Sequence, residues 1–86
     1  MSASPSQAIA VAKRLRRTLA SAPDPRLQAR AIYSELAAAE GWSPQEQQAI
    51  DRFGVWLNDR PQVDALRARC DHVLGLLSAR NVWPRR

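Results

Sequence analysis

Apolar residues in this chain recur every three or four positions in four separate stretches, and each stretch begins just after a proline. A period near 3.6 marks one face of a helix. Proline, with its fixed φ and missing N–H, suits a helix's first turn and disrupts its interior. Pro5, Pro25, Pro44 and Pro61 therefore divide the chain into four predicted helices, over about 5–20, 25–40, 44–58 and 61–80, with a short tail over 81–86. The expected fold is all-α: one domain spanning 1–86, a compact bundle or orthogonal array of four short helices.

The faces follow from the spacing. In the first helix Ala8, Val11, Ala12, Leu15 and Leu19 share an arc, with Lys13, Arg16 and Arg17 opposite and Arg14 at their edge. Ser4 and Gln7 have the spacing of a capping box. The second helix, capped by Asp24, carries Ala29, Ile32, Tyr33, Leu36 and Ala37 on its main face. Leu27, Ala31 and Ala38 add a thinner strip, which makes this the most central helix. Gly41 ends it, and Ser43-Pro44-Gln45-Glu46 is the strongest helix start in the chain. The third helix then aligns Ala49, Ile50, Phe53, Trp56 and Leu57, and the fourth aligns Val63, Leu66, Cys70, Val73, Leu74 and Leu77. Ile9, Val55, Leu76, Val82 and Trp83 fall off these faces. Clustered in space, they would mark a partner or dimer surface, with Val55, Leu76 and Trp83 as the candidate apolar interface. Trp83 alternatively folds back as a plug on the core.

Composition then narrows the partner. A chain of 86 residues buries only about 60–65% of its unfolded surface. Much of its 45% hydrophobic content is alanine, so the core rests on a few large side chains, and a second copy or a partner would add support. A net charge of +5 and a pI near 11.0 favour acidic partners: nucleic acid, a lipid surface or an acidic protein face. A single cysteine forms no intrachain disulfide, and no apolar run approaches the roughly 18 residues that span a bilayer. The expectation is a cytoplasmic protein without membrane partners. The acid-free, Ser- and Arg-containing stretch 1–23 is also compatible with a mitochondrial transit peptide.

Catalytic chemistry finds little support. His72 is the one histidine and falls on the polar side of its helix, without a second histidine or a suitably spaced cysteine to share a metal. Cys70 lies mid-arc, as a buried hydrophobe would. The carboxylates are scattered singly, and the three glycines form no phosphate-cradling loop. The expectation is a protein that is not an enzyme, with no catalytic residues, metal site or cofactor.

Binding chemistry has two candidates. Lys13, Arg14, Arg16 and Arg17 make the first helix a +4 element, whereas the second and third together are net negative. Such a face fits a phosphate backbone or an acidic protein surface, and it equally fits a solvated face. The stretch Glu35–Ile50 supplies the other candidate: small Ala37 toward the partner helix, Gly41 four residues on, apolar Trp42, a Ser cap and Ile50. It resembles, over about twenty residues, part of a DNA-binding helix-turn-helix, and a regulator of that kind would use residues 29–57. That resemblance implies that Gln45, Gln47, Gln48 and Arg52 face a major groove, where Gln pairs with adenine and Arg with guanine. Gly41 to Pro44 also serves as a plain turn between any two helices. The leading expectation is a small bacterial-type accessory or regulatory protein. It would dock on a protein or nucleoprotein complex with an acidic surface through the basic first helix and exposed apolar residues. DNA or RNA backbone and a homodimer are further possible partners, and the alternative is a helix-turn-helix-like DNA-binding regulator.

Overall fold

Ser4 opens the first helix through both arms of a capping box: Gln7 N donates to Ser4 Oγ at 3.2 Å and Ser4 N to Gln7 Oε1 at 3.0 Å. The computed structural model describes residues 4–79, in which α1 runs Pro5–Arg17, α2 Pro25–Ala38, α3 Pro44–Asn58 and α4 Val63–Ser78. No strand occurs among the described residues.

The first helix ends earlier than its apolar pattern predicts, and the chain tightens into a 3-10 turn over Leu19–Ser21. Thr18 Oγ1 donates back to the Leu15 carbonyl at 3.3 Å, and Gln28 Nε2 of α2 donates to the same carbonyl at 3.0 Å and to Thr18 Oγ1 at 2.8 Å. These contacts satisfy the helix end, where carbonyls lose their intrahelical partners. Leu19 still reaches the core.

Asp24 caps α2 by accepting from Leu27 N. At the other end Trp42 Nε1 donates to the Leu36 carbonyl at 2.8 Å, and Gly41 takes φ 105°, a left-handed geometry that side chains disfavour. Ser43 and Glu46 form the second capping box, with Pro44 at the first helical position. The fourth helix departs from prediction: it begins at Val63, and Pro61 lies in the turn before it. Arg60 occupies φ 54°, and the Pro61 carbonyl accepts from Arg26 Nε, which holds this turn against α2.

Among the described residues sixteen buried apolar side chains form one core. Phe53, Leu19, Ile32, Leu36, Ile50, Leu66 and Leu77 are its largest enclosed side chains, with Cys70 among them. α2 packs against each of the other helices and against the 3-10 turn, so the central role predicted for it holds. Its second strip does not, because Leu27 and Ala38 are exposed. Tyr33 lies edge-on to Phe53, and its ring packs directly over Gly54, leaving no room for a side chain there. Ile9, assigned by spacing to the surface, is 3% exposed and belongs to the core. The buried face of α1 is rotated toward Ile9 because α1 packs on α4 as well as α2.

Candidate interaction surfaces

That rotation separates the four cations of α1. Lys13, Arg14 and Arg17 remain exposed on its outer side, and no acid lies on the helix. Arg16 instead lies at the α1–α4 seam, where Nε and Nη2 donate to the two carboxylate oxygens of Asp71 at 2.7 and 2.8 Å. This is a bidentate fork, the strongest geometry for such a pair. The carboxylate raises the Arg16 pKa by its hydrogen bonds. The same bonds, then the charge of Arg16 itself and last that of Arg67, hold Asp71 below the usual carboxylate range against an opposing effect of desolvation. Sequence periodicity placed Arg16 with the outward cations; Asp71, 55 residues away, is the reason it differs.

The outer side of α3 carries the residues that the helix-turn-helix resemblance singles out. Gln45, Gln47, Gln48 and Arg52 are all exposed. Gln47 Nε2 donates to Asp51 Oδ1 at 3.0 Å, so it is engaged within its own helix. Gln48 and Arg52 line a shallow depression with Val55, Trp56, Asp51 and Asp59. The turn has the expected left-handed Gly41, yet Ala37, expected against the partner helix, is exposed. Ala39, the residue just past the helix end, is the small side chain buried there.

Val55 and Leu76 are 68% and 51% exposed. They do not share a depression, since Leu76 sits with Gln45, Ala49 and Leu77 at the far end of the α3–α4 seam. Trp56, which lines the same depression as Val55, is stacked on Phe53 on its inner side and covered by the Arg69 guanidinium at 5.2 Å from the ring centroid. Trp56 also lines a second depression, with Ala65, Ala68, Arg69 and His72. Sequence spacing read Trp56 as core and passed over Arg69; their pairing requires α3 and α4 side by side. Trp83, the remaining candidate of this apolar set, lies outside the described residues.

His72 is exposed, and Cys70 is buried in the core, where burial pushes its thiol up to about 11 despite the opposing pull of Arg16. Among the described residues no group of three or more His, Cys, Asp or Glu side chains gathers to hold a metal, and no helix is long and apolar enough to cross a membrane. No protein-family model, curated protein or solved structure matches this chain.

Proposed function

We propose that this chain is a non-catalytic accessory or regulatory protein of the bacterial type, which docks on the acidic surface of a protein or nucleoprotein complex through the outer face of α1. The observation that carries this reading is the division of labour among the α1 cations. Arg16 is committed to Asp71, while Lys13, Arg14 and Arg17 face solvent without an ion pair among the described residues. Three like charges within five residues repel one another, so the cluster does not stabilise its own helix except through the last-turn dipole. An acidic partner would relieve that repulsion. Val55 and Leu76 supply apolar contacts on the α3–α4 side for a second component of the complex or a second copy of the chain.

The test is a triple variant, Lys13→Gln, Arg14→Gln and Arg17→Gln, compared with wild type in fluorescence anisotropy against duplex DNA and against polyglutamate over a salt series. The expected result is wild-type binding to at least one probe that weakens with salt and is lost in the variant, with helicity and melting temperature unchanged. If DNA is the ligand, the log–log salt slope falls by about 2–3. Equal affinity of the two proteins would refute the α1 face.

A second reading, a helix-turn-helix-like DNA-binding regulator, is favoured by one observation: Gln45, Gln48 and Arg52 are exposed and follow one stripe of α3 at helical spacing. Glu46, Asp51 and Asp59 on or beside that helix would meet phosphate unfavourably, which places this reading second. Selection from a random duplex library separates the two, because only the second requires an enriched sequence that Arg52→Ala abolishes.

A further inference from the structure

Arg26 and Arg30 of α2 and Arg60 of the α3–α4 turn line one open depression, together with Asp24 and the 65% exposed Leu27. The depression lies on the flank of α2 away from α1: Gln28 reaches α1 on one side, while on the other Arg26 reaches the α3–α4 turn and Arg30 the last residue of α3. Arg26 and Arg30 are one helical turn apart, a spacing at which like charges repel. Each is nevertheless anchored at a single donor. Arg26 Nε donates to the Pro61 carbonyl at 3.0 Å, and Arg30 Nη2 donates to Asn58 Oδ1 at 2.9 Å. These anchors restrict the two side chains and leave the remaining guanidinium N–H groups unengaged among the described residues. Arg60 completes the group from a backbone at φ 54°, a conformation that glycine adopts freely and arginine does not. The one acid in the lining, Asp24, uses Oδ1 to accept from Leu27 N at 3.2 Å as the cap of α2.

We propose that this depression is an oxyanion site that takes a phosphate group, free or as a monoester. Three guanidinium groups against one carboxylate leave an excess of two positive charges, which matches a phosphate dianion better than a single carboxylate. The N-terminus of α2 adds the positive end of a helix dipole beside it. The site is separate from the α1 face, and its arginines come from two segments that only the fold brings together.

The experiment titrates the full chain, isotopically labelled, with inorganic phosphate, glycerol 3-phosphate and acetate at constant ionic strength, following the arginine Nε–Hε resonances by NMR. Saturable shifts of Arg26, Arg30 and Arg60 with a phosphate ligand and not with acetate are expected, and the tighter of the two phosphates identifies the source. Arg30→Gln and Arg60→Gln should each weaken binding about tenfold. Arg60→Gly is the decisive variant, because it relieves the left-handed backbone while removing the guanidinium: melting temperature should hold or rise while affinity falls. Linear, unsaturable drift, equal response to acetate, or undiminished affinity in Arg60→Gly would overturn the site. Loss of binding in the Lys13, Arg14 and Arg17 triple variant instead would place the anion on α1 and equally overturn it.

Discussion

Gly54 sits in the middle of α3, where alanine would favour the helix by about 1 kcal/mol. A Cβ built there would lie 2.6 Å from Tyr33 Cε1, closer than such atoms approach, and the ring is itself set against Phe53. Overpacking of this kind costs about 1–3 kcal/mol, so Gly54→Ala should destabilise the protein despite its better propensity. Urea denaturation measures the sign, and adding Tyr33→Leu should recover much of the loss. A thiol that burial has raised to about 11 is almost wholly protonated at pH 8, and Cys70 is also sterically enclosed. Native protein should therefore resist iodoacetamide at that pH and react promptly in denaturant; rapid alkylation of the native state would show that the α1–α4 seam opens.

At the scale of the element, the start of α3 owes its definition to a few atoms. Ser43 Oγ accepts from Glu46 N at 3.2 Å, and Glu46 Oε1 accepts from Ser43 N at 2.8 Å. Replacing Ser43 by Ala should cost about 1 kcal/mol, lowering the melting temperature without altering the midrange helicity read by circular dichroism. The start of α4 has no such device: Gln62 makes no side-chain cap, and Pro61 stands two residues outside the helix. Arg60 explains the displacement. Its left-handed φ turns the chain before the proline, so Pro61 serves the turn and the helix begins at Val63. Val63, read from its spacing as core, is accordingly 42% exposed.

At the scale of the molecule, α1 is tied to the far end of the sequence by Arg16 and Asp71. Because the folded-state pKa of Asp71 is depressed, the pair's contribution is present above the ordinary carboxylate range and is lost as pH falls through the folded value. The pair is partly exposed, so its worth is limited to about 1 kcal/mol or less. Melting temperatures of wild type and Asp71→Asn measured from neutral pH down to acid should converge at low pH. A constant gap across the range would assign the effect of the substitution to packing instead. The core imposes a larger dependence: Phe53 touches both Tyr33 and Trp56, and truncating it removes the ring on which α2 and α3 meet.

The pattern of apolar residues determined the all-α class, the number of helices and most of the buried positions of α2, α3 and α4, with Ala37 and Val63 as exposed exceptions, because a helix's period is local and its caps are read from neighbouring residues. Pro5, Pro25 and Pro44 stand at the first helical position as expected. Three exposed cations on α1 were equally legible, since an outward charge needs no partner to explain it. Other features depended on which helix lies against which. Ile9 became core and Arg16 left the cationic face because α4 covers that side of α1. Trp56 became the inner half of a cation–π pair because Arg69 stands across the α3–α4 seam. Arg26 and Arg30 showed their helical spacing in the sequence, but their meeting with Arg60 depends on one left-handed residue in a turn. A period reports the direction of a side chain around its own axis; the tertiary structure alone decides what stands in that direction.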